Sequence, residues 1–168
     1  MININMVRVI DAEPGVSSPM TEEEARNFMT NDNSNNRLLV HLGMVDEKGE
    51  PSVIPTGYYF DKNSNKIYIT TGKTSKKVHN LRTTRNVLSY CIDDPNPPYK
   101  GVRGKGKVKI HEEISHNIPI TEKIMTRYVE SLEDPMATWV LDETKNGNLI
   151  ILEITPSYYS TWDYGKSQ

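Results

Sequence analysis

The 168-residue sequence is poor in the residues that staple or anchor small proteins. It has one cysteine, Cys91, which excludes an intramolecular disulfide framework and a Cys-rich zinc site and suits a reducing compartment. No apolar run approaches the roughly 20 residues needed to cross a bilayer. The opening Met-Ile-Asn-Ile-Asn-Met-Val-Arg lacks the basic-then-apolar order of a signal peptide, so a soluble, cytoplasmic protein is expected. The four histidines, His41, His79, His111 and His116, show no H-E-x-x-H or comparable ligand spacing, and the pair five apart carries little weight, so no metal is expected. G-x-S-x-G is also missing, which removes the usual serine-hydrolase reading. Cys91 lies within an apolar strand pattern, where packing is the expected role.

Charge is nearly balanced overall, at a formal −2, but it is unevenly placed. Between Lys62 and Ile110 lie 12 of the 20 basic residues and only two acids, Asp93 and Asp94, a local net of +10 against −12 for the rest. A basic middle third in a chain of pI about 6.1 points to a bound anion. Mean hydropathy is −0.61, yet the apolar residues fall in ordered blocks, which argues against disorder.

Residues 1–20, with Pro14, Gly15 and Pro19, read as an extended arm. Thr21-Glu-Glu-Glu24 matches a capping box opening a helix to about Met29, and 31–36 is a polar loop. Strand patterns follow over 38–45, 52–60, 66–71, 87–92, 99–111, 149–154 and 158–164. Pro55 and Gly57 interrupt the second, which predicts a bulge or an edge. In 99–111, Val102, Val108 and Ile110 share one face and Lys105, Lys107 and Lys109 the other. Helices are expected over 74–82, capped by Thr74, over a segment opened by Asn117 and Pro119 with Ile120, Ile124, Tyr128 and Leu132 as its buried stripe, and around 136–142. One domain over 21–165, a mainly β barrel with a few covering helices and a short tail at 166–168, accounts for this order.

The stretch from Ile69 to Arg82 carries the most chemistry. A strand ends in Thr70 and Thr71, Gly72 turns the chain, and a helix starts with Thr74, Ser75, Lys76 and Lys77. Free N–H groups at a helix start, hydroxyls and ammonium groups together suit a phosphate, although a solvated basic helix has the same composition. Gly72-Lys73-Thr74 is not a P-loop, because the first glycine of that pattern is replaced by Ile67.

These segments resemble the pyridoxamine-5′-phosphate-oxidase-like flavoprotein superfamily. The resemblance rests on Val53-Ile-Pro-Thr-Gly-Tyr-Tyr-Phe60, Tyr68-Ile-Thr-Thr71, Thr74-Ser-Lys-Lys-Val-His-Asn-Leu-Arg82, Val87-Leu-Ser-Tyr90 and Thr161-Trp-Asp-Tyr164, in that order. It implies a six-stranded antiparallel split β-barrel, a homodimer, and FMN, or alternatively the deazaflavin F420, held at the subunit interface. Carried over by position, Ser75, Lys76 and Lys77 bind the cofactor phosphate with Thr70 and Thr71 nearby, and Pro55, Thr56 and Gly57 line the ring. Asn80 is either a cofactor contact or a helix-surface amide, and Trp162 either a cofactor-edge aromatic or a core residue. The Arg-x-His substrate motif of authentic pyridoxamine-phosphate oxidases is missing after Trp162, which favours a general reductase or a non-catalytic flavin binder over pyridoxamine-phosphate oxidation. The Lys100 to Lys109 strand could serve a longer anionic tail or be a solvated barrel face. A nucleic-acid partner is disfavoured by the low pI and by the absence of aromatics from Gly101 to Lys109.

Overall fold

A computed structural model describes residues 6–30 and 37–167. The expected loop at 31–36, like the first five residues of the arm and the last of the tail, lies outside them. The chain runs β1 (Val9–Asp11), α1 (Glu22–Thr30), β2 (Val40–Val45), β3 (Pro51–Thr56), β4 (Tyr59–Asp61), β5 (Lys66–Gly72), α2 (Lys76–Thr83), β6 (Val87–Asp94), β7 (Lys100–His111), α3 (Ile114–Met125), α4 (Pro135–Lys145), β8 (Leu149–Pro156) and β9 (Tyr159–Asp163). The strands form one curled sheet in the order β3-β2-β6-β7-β8-β5-β4, with β9 on β7 and β1 on β9. This is the expected split barrel, with nine strands in place of six because short pieces count separately. Part of the arm is itself a strand: Val9–Asp11 pairs in parallel with Tyr159–Thr161.

Alternation decides which side chains fill the barrel. Val40, Leu42 and Met44 meet Leu88, Tyr90 and Ile92, and beyond them Val102, Val108, Ile150, Leu152, Ile154, Ile67 and Ile69, in one buried cluster. Lys105, Lys107 and Lys109 point outward, as their alternation predicted. Strand β7 changes partner midway, from β9 at Lys100–Arg103 to β8 at Gly106–His111. Glycine is required at that switch, since a Cβ on Gly104 would stand 2.4 Å from the Tyr158 carbonyl and one on Gly106 2.5 Å from Ile154.

The strand expected at 52–60 is two strands at opposite edges of the sheet, so the edge role inferred from Pro55 holds. The chain crosses between the edges at Gly57 and Tyr58, and Tyr128 closes the gap. Its hydroxyl accepts from Tyr58 N at 2.9 Å and donates to the Leu38 carbonyl at 2.8 Å. Its ring fills the space a Gly57 side chain would need, with an ideal Cβ only 2.9 Å away.

The capping box forms as predicted: Thr21 N donates to Glu24 Oε2 at 2.7 Å and Glu24 N to Thr21 Oγ1 at 3.2 Å. The stripe expected for α3 does not form. The helix ends at Met125, and its buried residues are Asn117, Thr121, Ile124 and Met125. Two of these are polar and escape a search for apolar periodicity. Helix α4 follows expectation, with Asp134 accepting from Met136 N at 2.8 Å and Pro135 in its first turn. The outside of the barrel is thereby divided. Helices α3 and α4 roof β5, β8 and the end of β7, while the outer face of β3, β2, β6 and the start of β7 stays open. No helix among the described residues is long and apolar enough to cross a membrane.

Candidate functional site

The loop from β5 to α2 is wound one residue tighter than Thr74 capping requires. Ser75 N donates to the Gly72 carbonyl at 3.0 Å, and this turn delays the helix so that Ser75, not Thr74, is the N-cap. The Ser75 hydroxyl accepts from Val78 N at 3.4 Å and lies 3.2 Å from Thr71 Oγ1, which ties the helix start to the buried end of β5. Lys76 and Lys77 therefore occupy the first turn. Their backbone N–H groups have no intrahelical acceptor and make no hydrogen bond among the described residues.

The cations of this segment are not equivalent. Lys73 pairs with Glu112 at 2.8 Å, and Arg82 bonds the other oxygen of the same carboxylate. Chiefly through the Lys73 bond, Glu112 is held below the usual carboxylate range. Lys76 reaches to 3.9 Å of Asp46, and His79 to 3.8 Å of Glu47. Lys77 is half-buried, has no acidic side chain within ion-pair distance among the described residues, and has its pKa lowered by burial. Lys77 thus adds a half-buried cation to a helix turn that also carries free N–H groups and a fixed hydroxyl, the donor types that suit an anion.

The remaining predicted residues divide by place. Thr71 joins Ser75, but the alternation of β5 turns Thr70 to the side roofed by α3 and α4, where its hydroxyl is buried without a partner. Asn80 is buried one turn into α2, so the helix-surface reading fails for it. It borders a cavity of about 670 Å³ that Arg85, Thr84 and Val87 also line. Pro55 stands on the open sheet face, in a cross-strand row with His41, Cys91 and Arg103. Thr56 and Gly57 end that strand opposite and beyond Val40, and Tyr128 takes the space a Gly57 side chain would need. Trp162 pairs with Gly101 in β7 on the same open face, and the Arg103 guanidinium lies 5.8 Å from its ring.

Between Pro55 and Trp162 the open face dips into a hollow of about 530 Å³ lined by His41, Gly43, Val53, Ser89, Arg103 and Lys105, among others. Cys91 also lines it, and burial pushes its thiol up to about 11. Lys76 reaches Asp46 beyond the far end of β2 from Val40, whose partner is Thr56. The intervening strand measures about 17 Å at its usual rise. A single chain thus holds the cationic start of α2 at one end of β2 and a shallow hollow along an open face.

Sequence spacing missed a third arrangement. His111, His116 and Glu153 come together beneath α3, with Lys66 on Glu153, although Glu153 lies 42 residues from His111. Only the register of β7 on β8 makes these positions neighbours.

A family model described as pyridoxamine 5′-phosphate oxidase matches residues 21–163. The chain belongs to that family. No match was found among curated proteins. Among solved structures, the pyridoxamine 5′-phosphate oxidase-like fold is shared with a conserved hypothetical protein from Mycobacterium tuberculosis, at 22% identity and TM-score 0.73, covering 92% of this chain and 91% of that one. An F420 reductase aligns at 21% identity and TM-score 0.59, over 74% of this chain and 90% of its own. A FAD-binding protein from Mesorhizobium loti aligns at 17% identity and TM-score 0.59, over 87% and 96%. At these identities the likeness establishes the shared fold.

Proposed function

We propose that the protein binds a phosphorylated flavin-type cofactor, FMN first, and acts as an oxidoreductase on a small organic substrate. The observation that carries this reading is Lys77, a half-buried cation without an acidic partner among the described residues, set beside the free N–H groups of α2 and the Ser75 hydroxyl. A phosphate dianion there would meet charge-assisted donors on several sides. The anion seat fits the cofactor phosphate, and the hollow on the open face, with its glycine and serine floor, accepts a flat ring. Bound flavin would supply hydride or electron transfer, and the chain's part is to position and shield it.

The makeup of the open face supports a homodimer. The open face exposes Leu39, Val45, Val53 and Val87, with Val53 70% exposed, and such a face is covered when two copies pack together. A partner subunit would then complete the site with Pro55 or Trp162 from its own face.

F420 is the second reading. Arg103, Lys105 and Lys107 are exposed and make no ion pair among the described residues, a row suited to a longer anionic tail, and one of the similar structures is an F420 reductase. Purified protein should show a flavin absorbance band or acquire one with FMN, and the bound cofactor should bleach with NAD(P)H. Bleaching only of F420 would move the assignment to the deazaflavin. Binding without reduction by any donor would leave a flavin carrier.

A further inference from the structure

The polar cluster beneath α3 lies on the roofed side of the barrel, away from the open face, and Glu112, the carboxylate that Lys73 and Arg82 share, follows His111 in the chain. His111 ends β7, and the turn through Glu113, the N-cap of α3, lays the His116 ring on the His111 ring, with centroids 4.1 Å apart and planes at 28°. Glu153 projects from β8 between the positions of Lys109 and Tyr68 on the flanking strands. Its Oε2 stands 3.0 Å from His111 Nε2, and its Oε1 accepts from Lys66 Nζ at 2.5 Å. The side chains of His111 and Glu153 are only 13% and 10% exposed. The donor atoms of all three residues lie within 4.8 Å of one another, and His116 Nε2 is buried without a hydrogen-bond partner.

We propose that His111, His116 and Glu153 form a binding site for a divalent transition-metal cation of the zinc class. Two imidazole nitrogens and one carboxylate oxygen suit zinc-type ions, whereas magnesium and calcium favour oxygen-only shells. A tetrahedral ion with bonds of about 2.0–2.1 Å sets adjacent donors roughly 3.3 Å apart. The His111 to Glu153 separation of 3.0 Å is already close to that, and the His116 donor, within 4.8 Å of the other two, closes on the ion by side-chain rotation out of its stack. Lys66 holds Oε1 and so orients Oε2 toward the ion, the outer-sphere role common around metal-ligating carboxylates. The same ammonium offsets the carboxylate charge, so the affinity is micromolar rather than that of a closed structural zinc site. The ion gives the unmatched His116 nitrogen a partner and ties the end of β7, the start of α3 and the middle of β8 to one another. The site is independent of the cofactor.

Cobalt(II) titration of chelator-treated, tag-free protein tests it. One equivalent should bind per chain, with the visible d–d bands of a four- or five-coordinate ion, and zinc should displace it. His116→Gln and Glu153→Gln should each weaken binding at least about tenfold, while exposed His79→Gln leaves it unchanged. Should a variant fail to fold, the imidazole ¹⁵N resonances of the unaltered protein report directly, because only two histidines should shift on adding zinc. No stoichiometric binding by about 100 µM cobalt, where a micromolar site is saturated, would overturn the site. So would binding indifferent to both ligand substitutions, or zinc shifts spread over all four histidines.

Discussion

Lys77 differs from its neighbours by what surrounds it rather than by its type. Lys73 and Arg82 already share the exposed Glu112, and Lys76 faces Asp46, which also accepts from Lys48 N and Glu50 N, so removing any of them mainly releases an acid. Lys77→Ala should weaken FMN binding by about 1.5–3 kcal/mol, the range for a hydrogen bond to a charged group, while Lys73→Ala changes it little. Burial lowers the Lys77 pKa by disfavouring its charged form. FMN affinity should therefore fall as pH rises through that lowered value, before the ordinary lysine range near 10.4 is reached. Lys77→Arg should remove this alkaline loss, and fluorescence titrations across pH will show it. Cys91 makes the opposite case. With its thiol pushed up to about 11, it is almost wholly protonated at neutral pH and should alkylate far more slowly in the native protein than in urea, although it lines the hollow.

At the scale of elements, the segments with a strong period were legible in the sequence. The capping box, the alternation in β7 and the edge position of Pro55 all stand as read. What escaped was set by partners distant in sequence. Nothing local to Gly57 shows that Tyr128, 70 residues on from Tyr58, lies across it. The cap fell on Ser75 because the Gly72 turn takes up one more residue than the hydroxyl pattern suggests. The α3 stripe was misread because Asn117 and Thr121 are buried as polar residues, Asn117 Nδ2 donating to the His111 carbonyl at 2.9 Å and Thr121 meeting Thr144 at 3.3 Å. Tyr128→Phe tests the cross-barrel pin. It leaves Tyr58 N and the Leu38 carbonyl without their partner and should cost about 1–3 kcal/mol for each group that stays buried, read by urea unfolding. Gly57→Ala should destabilise by pushing the same ring aside.

Across the whole molecule, the basic middle third resolves into cations with partners and cations without. Lys66, Lys73 and Arg82 are balanced by Glu153 and Glu112, acids beyond the basic segment. The cations without an ion pair among the described residues include Lys77 in the first turn of α2 and Arg103, Lys105 and Lys107 in a row on the open face, beside Lys62, Arg85, Lys100 and Lys109. That division follows from strand register, which composition does not contain. In the proposed homodimer the open face is the shared one. Val53→Asp would place a carboxylate among Gly43, Ser89 and Lys105 on the face proposed to be shared, and sedimentation should show a dimer becoming a monomer, with cofactor affinity falling alongside. An unchanged sedimentation coefficient would remove that face from the interface. The central claim, that α2 begins at a phosphate seat, is tested most directly by comparing the affinities of FMN and riboflavin, which differ only in the phosphate. FMN should bind the unaltered protein at least about tenfold more tightly, and Lys77→Ala should bring the two close together. Equal affinities in the unaltered protein, or a preference for FMN that survives Lys77→Ala in full, would contradict the account.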